Sequence, residues 1–194
     1  MFRVVAQTIS WCYPGFMKVL IIGAGATGSI TAKLLAGRPE IEQVLIGDID
    51  AHKAKKFIAP DPKITYKHID AKDSKTVLES AKGMNLLINA SLPSFNESLM
   101  KLALEAGVNY QDFASNWDDG KVEQLKYQND FKAKNLRALI NASASPGITN
   151  LVAKELSTQL KRIEYIKIRL LEDVSSDVPF TAWSKAIFFD EIFH

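Results

Sequence analysis

The chain alternates between short apolar runs and longer segments with helical spacing. Val19-Leu20-Ile21-Ile22 is apolar throughout and breaks into Gly23-Ala24-Gly25-Ala26-Thr27-Gly28. Ala26, Ile30 and Leu34 then recur at i, i+4 and i+8, which predicts a helix with that stripe on its core side. Gly37-Arg38-Pro39 ends it. Glu42–Gly47 predicts a second strand, and Ala51–Ile58 a helix with Lys53, Lys55 and Lys56 on its wet side. Pro60-Asp61-Pro62 is a turn. Lys63–Ile69 alternates as a strand near a sheet edge, and Asp73–Lys82 predicts a helix capped by Asp73 or Ser74. Met84–Ala90 is apolar almost throughout, as a central parallel strand covered on both faces would be. Ser94, with Glu97 three residues on, predicts a capping box. The following helix shows Phe95, Leu99, Leu102, Ala103 and Ala106 on one face and stops at Gly107. Val108–Phe113 predicts a strand, Asp118–Asn135 a charged amphipathic helix, and Leu136–Ala142 another strand. Ser145-Pro146-Gly147 opens a helix carrying Ile148, Leu151, Val152, Leu156 and Leu160. Arg162–Leu171 predicts a strand of another kind, antiparallel and one-sided.

Strands alternating with helices through short turns argue for an α/β fold, a Rossmann-type doubly wound parallel sheet with right-handed crossovers. The alternation stops near Gly147–Arg162. The organisation read from this is 1–16 as a leader or mis-assigned start, 17–147 as a nucleotide-binding domain, and 148–194 as the start of a second, truncated α+β domain. Met17 is itself a natural start, placed directly before the first strand.

The first strand, glycine turn and helix carry the chemistry. Gly23 permits the turn, Gly25 lets a pyrophosphate approach the backbone, and Gly28 lets helix and strand pack closely. The helix start offers N–H groups and a positive dipole end to phosphates. Asp48 ends the second strand 20 residues after Gly28, the spacing of a carboxylate that accepts bonds from the adenosine ribose hydroxyls. A carboxylate there repels a 2′-phosphate, so NAD is preferred over NADP.

Ligands on such sheets lie at the carboxyl ends of the strands. Cofactor contacts are therefore expected at Gly23, Gly25, Ala26, Thr27, Gly28, Asp48, Ile49, Asp70, Ala71, Ala90, Ser91 and Leu92. Asp70-Ala71 would border the adenine, and Ala90–Pro93 would pass beneath the nicotinamide ribose. Asp112 has two readings: a group that orients an amine or acts as base, or a hydrogen-bonded structural carboxylate. Ser145, Pro146, Gly147 and Asn150, at a second anion-friendly helix start, are the substrate-side candidates. Asn141 and Ser143, also at a strand end, are either site residues or turn residues; His52 and His68 read as surface residues. Trp183-Ser184 lines a pocket or belongs to a core.

Composition narrows the partners. With 24 Lys+Arg against 22 Asp+Glu the net charge is +2, which favours neither nucleic acid nor an anionic membrane. No apolar run approaches the roughly 20 residues of a spanning helix. One cysteine, Cys12, and three histidines give no metal-ligand spacing and no internal disulfide, which fits a reducing, cytoplasmic setting.

The segments VLIIGAGATG, IGDID, NLLINASLP, VNYQDFAS and NASASPGITNLVAKEL, with the later PFTAWS, resemble the saccharopine dehydrogenase family over about Met17 to Trp183. SPGITN after a sixth strand is the more specific of these. The resemblance implies NAD(P)-dependent oxidoreduction at a C–N bond of an amino-acid or polyamine-type substrate. It places Gly23, Gly25, Gly28 and Asp48 on the cofactor, Ala90-Ser91 by the nicotinamide, and Pro146, Gly147 and Asn150 toward the substrate. Family sequences often carry an acidic residue and glycine before that proline. Here the run is Asn141-Ala142-Ser143-Ala144-Ser145. Members continue into a substrate and dimerisation domain, as homodimers. The expectation is therefore an N-terminal portion that binds nucleotide weakly and has little activity alone. The competing readings are a regulatory NAD-binding module without catalysis and a remnant that exposes a strand edge.

Overall fold

The computed structural model describes residues 15–50, 55, 58–115, 117–118 and 121–169. Its centre is a six-stranded sheet of β1 (Met17–Ile22), β2 (Ile41–Asp48), β3 (Ile64–His68), β4 (Leu86–Asn89), β5 (Asn109–Asp112) and β8 (Ala138–Leu139), in the order β3-β2-β1-β4-β5-β8. Every neighbouring pair is parallel. Between β5 and β8 lies a two-residue antiparallel pair, β6 (Trp117–Asp118) and β7 (Lys121–Val122). The order reverses beside β1, so the β1 and β4 ends form the crevice where ligands settle on such sheets.

The apolar runs are strands because both faces are covered. Leu20 and Ile22 of β1 enter one core with Leu87 of β4. That core includes Val77 of α2 (Ser74–Ala81), Leu99 and Ala103 of α3 (Asn96–Ala106), and Phe131 of α4 (Gln128–Ala133). Val19 and Ile21 point the other way, into a second core with Val44, Ile46 and Ile88 under α1 (Ala26–Ala36). Each fully buried side chain of this kind contributes about 1.5–3 kcal/mol. Asp73 caps α2, accepting from the N–H groups of Lys75 and Thr76. Gly107 ends α3 at φ 73°, as a left-handed stop requires.

Several expectations need correction. The buried face of α1 is Gly28, Ser29, Ala32 and Ala36, while Ile30 and Leu34 are 52% and 65% exposed. Close approach of helix to turn admits only small side chains, which turns the larger ones outward. Ser94 is not a cap: a 3-10 turn over Pro93–Phe95 runs straight into α3. Glu97 instead reaches Lys101, Lys126 and Tyr127. The long helix expected over Asp118–Asn135 is the β6–β7 pair, a 3-10 turn over Glu123–Tyr127, and α4. Asp and Gly, adjacent at 119–120 in the sequence, are poor helix formers, which the apolar spacing does not register. Only Ala138–Leu139 of the expected strand Leu136–Ala142 pairs, and Asn141, at φ 56°, follows it.

The helix after Gly147 is α5 (Ile148–Ser157). Its apolar residues Ile148, Leu151, Val152 and Leu156 are all at least half exposed. The described part of the expected strand Arg162–Leu171, residues 162–169, pairs with no strand among the described residues. A strand needs a neighbour to take its backbone hydrogen bonds. Most of the expected helix Ala51–Ile58, the expected leader up to residue 14, and Trp183-Ser184 lie outside the described residues.

Candidate dinucleotide site

Backbone geometry builds the first corner of the crevice. Gly23 follows β1 at φ 107°, and a Cβ there would lie 2.7–2.8 Å from the Ala90 carbonyl and the Ser91 nitrogen. Its N–H donates to the Gly47 carbonyl at 2.8 Å. A Cβ on Gly28 would stand 1.9 Å from the Gly23 oxygen. Both positions therefore exclude any side chain. Gly25 is different: a Cβ there would meet nothing within 4 Å. Gly25 precedes α1 with no side-chain cap, and Gly25, Ala26 and Thr27 are exposed. The first turn of α1 thus presents its N–H groups to an open space, as an anion requires. Ser29 fixes the turn from behind, its hydroxyl donating to the Ala24 carbonyl at 3.0 Å.

Asp48 closes this corner. Its Oδ2 accepts from the Ala24 N–H at 2.7 Å, and its Oδ1 from the Asp50 N–H at 2.8 Å. The half-buried carboxylate is thereby held against the glycine turn. Each oxygen keeps a further lone pair for a hydroxyl donor. Ile49 beyond it is 65% exposed. Asp70, after β3, is exposed and accepts from the Lys72 N–H at 2.9 Å in a local turn, with Ala71 half-buried beside it.

The second corner is built from side chains. A cavity of about 100 Å³ runs from Thr27 past Ala90, Ser91 and Pro93 to Phe113 and Ala114. Asn89 and Asn96 line it too, and the register sets Asn89 beside Ile22 and Asp112 beside Asn89. Asp112 is 1% exposed. Its Oδ1 accepts from the Asn141 N–H at 2.7 Å and its Oδ2 from the Gln124 side chain at 3.1 Å. Burial pushes its pKa up, opposed by the hydrogen bonds from the Asn141 N–H and the Gln124 amide. The hydroxyl of buried Tyr110 is also pushed up, by burial first and then by the Asp112 charge.

The segment after β8 is tied to the same point. The Ala142 N–H donates to the Asp112 carbonyl at 2.9 Å, and the Ser115 hydroxyl to Asn141 Oδ1 at 2.5 Å. Ser145–Pro146 is a cis peptide. Gly147 has φ 139°, and a Cβ there would lie 2.0 Å from the Ser143 oxygen. Asn150 Oδ1 accepts from the Gly147 N–H at 3.1 Å, so its side chain serves the helix start. A larger open cleft, about 430 Å³, lies between α4 and β8 against Phe131, Leu136 and Ile140. It includes no residue of the glycine turn. Among the described residues no group of His, Cys, Asp or Glu could hold a metal, and no helix is long and apolar enough to cross a membrane.

Residues 19–151 match the model of the saccharopine dehydrogenase NADP binding domain. The chain belongs to this family. It is 34% identical over 162 residues to carboxyaminopropylagmatine dehydrogenase of Synechocystis, an alignment covering 78% of this chain and 40% of that relative. The apo saccharopine dehydrogenase (L-Glu forming) of Saccharomyces cerevisiae superposes with a TM-score of 0.64 at 15% identity. That superposition covers 74% of this chain and 31% of the yeast chain, and it supports the fold. The chain thus spans about two fifths of the length of the curated relative it matches.

In this member of the saccharopine dehydrogenase family, Gly23, Thr27 and Gly28 come together with Ala90 and Ser91, Asp48 is tied to the same turn through Ala24, and Leu92 is not among the residues lining the 100 Å³ cavity. Ile49, Asp70 and Ala71 sit past the ends of β2 and β3. Asp112 lies under the crevice rather than on its wall. Ser145–Asn150 form the start of α5. Sequence reasoning missed Asn89, Asn96 and Gln124. Asn96 had left a trace, as a polar residue at the head of the Leu99, Ala103 stripe of α3.

Proposed function

We propose that this chain binds NAD, in preference to NADP, in the crevice between the glycine turn and the Ser91 loop. It serves there as the nucleotide-binding part of a dehydrogenase acting on a C–N bond of an amino-acid or polyamine-type substrate. The observation that carries the reading is Asp48, clamped to the Ala24 N–H at 2.7 Å beside the open first turn of α1. The diphosphate would rest on the Ala26–Gly28 amides and the adenosine ribose on the Asp48 carboxylate. A 2′-phosphate would meet that fixed negative charge. Bound there, the nicotinamide supplies hydride acceptance or donation.

The substrate class rests on family membership and on the Synechocystis relative, a dehydrogenase of carboxyaminopropylagmatine. Residues 17–147 hold the nucleotide and residues 148–194 begin the substrate part. The uncovered apolar face of α5 supports that division. Asp112 is proposed as a residue that holds the substrate-side loop through Asn141. Fluorescence titration with NADH and NADPH tests the cofactor assignment. NADH should bind more tightly, and Asp48→Ala should narrow the gap. Equal affinity for both nucleotides before and after the substitution would overturn it.

A further inference from the structure

We propose that Asn96 is a positioning residue for the nicotinamide end of the dinucleotide, acting through Asn89 and Ser91. The proposal rests on the dinucleotide reading above and concerns the end of the ligand that Asp48 does not touch.

Asn96 is fully buried at the first residue of α3, among Leu99, Met100 and Ala103. A buried amide is costly unless its bonds are made, and here they are made. Its Oδ1 accepts from Asn89 Nδ2 at 2.7 Å and from the Tyr110 hydroxyl at 3.1 Å. Its Nδ2 donates to the Ala114 carbonyl at 2.7 Å. One side chain therefore ties the end of β4 to the segment after β5, and both border the 100 Å³ cavity.

Asn89 passes the constraint upward. Its Nδ2 also donates to the Leu92 carbonyl at 3.2 Å. Its Oδ1 accepts from the Ser91 N–H at 3.0 Å and from the Ser91 hydroxyl at 2.6 Å. With its proton given to Asn89, the Ser91 hydroxyl offers the cavity only lone pairs. It is an acceptor, suited to a ribose hydroxyl or a carboxamide N–H. Ser91 also adjoins the glycine turn, since a Cβ at Gly23 would reach its nitrogen at 2.8 Å. The acceptor thus stands beside the cradle, on the far side from Asp48.

Calorimetric titration with NADH and with ADP separates this role from simple support of the fold. ADP contains the adenosine and diphosphate but lacks the nicotinamide riboside. Asn96→Ala and Ser91→Ala should each weaken NADH about fivefold, the value of one hydrogen bond, and leave ADP within about twofold. Equal weakening of NADH and ADP in Asn96→Ala, or unchanged NADH affinity in either variant, would overturn the proposal. Should Asn96→Ala fail to fold, Ser91→Ala decides, because Ser91 is half-buried at the crevice and outside both apolar cores. Failure of the unaltered chain to bind ADP would overturn the dinucleotide reading itself, and this proposal with it.

Discussion

The two corners of the crevice hold their shape by different means. At the first, between β1 and β2, the chain uses backbone: Gly23 and Gly28 leave no room for a Cβ, and α1 offers its amides to open space. At the second, between β4, β5 and β8, it uses buried side chains: Asn89 and Tyr110 donate to Asn96, and Gln124 donates to Asp112. The first corner suits a ligand part of fixed chemistry, a diphosphate. The second presents side chains that substitution can vary without rebuilding the sheet.

The sharpest way to break the contrast is at the glycines. Gly28→Ala sets a Cβ 1.9 Å from the Gly23 oxygen and should cost about 3 kcal/mol in urea unfolding. Gly25→Ala has open space around it. It should cost about 1 kcal/mol or less while weakening NADH by about tenfold or more, since the added methyl occupies the phosphate approach. Matching losses of stability in the two variants would remove the distinction between a packing glycine and a ligand glycine.

The second corner responds through a carboxylate. Asp112→Asn turns one donor toward the Asn141 N–H or the Gln124 amide and should cost about 1–3 kcal/mol, read by thermal and urea unfolding at neutral pH. Its pH dependence runs opposite to that of Glu97. Burial raises the Asp112 pKa, so its contribution is present below the ordinary carboxylate range and fades as pH rises through the raised value. Hydrogen bonds from Lys126, Tyr127 and Lys101 hold Glu97 down at about 2, against an ordinary 4.5. The stability advantage of the unaltered chain over Glu97→Gln should therefore be complete above about pH 5 and vanish as pH falls toward 2. About a third of that side chain is exposed, so the advantage should stay below about 1 kcal/mol. Unfolding curves from pH 2 to 7 check both signs.

The smallest effect belongs to the outer face of α1. Leu34→Gln should change stability by no more than about 0.5 kcal/mol, because Leu34 is 65% exposed. A loss of several kcal/mol would restore the apolar stripe read from spacing.

The same contrast explains what the sequence made legible. Glycine turns and apolar runs are local, so β1, α1, β2, the central β4 and the doubly wound order were readable from short segments. Hydrogen bonds between distant side chains leave almost no local signal. Asn96 and Ala114 are 18 residues apart in the chain and meet only through the fold, and Gln124 reaches Asp112 from a segment whose spacing imitates a long helix. The stripe on α1 misled because spacing reports periodicity and not which face approaches a glycine turn.

On the proposed reading the open amides at the start of α1 receive the phosphates, and an amide-resolved NMR titration of the chain with NADH reads this out residue by residue. The largest shifts should fall on Gly25, Ala26, Thr27 and Gly28, with Ala24 and Ser91 next. Shifts centred instead on the cleft between α4 and β8, or none at all, would contradict it.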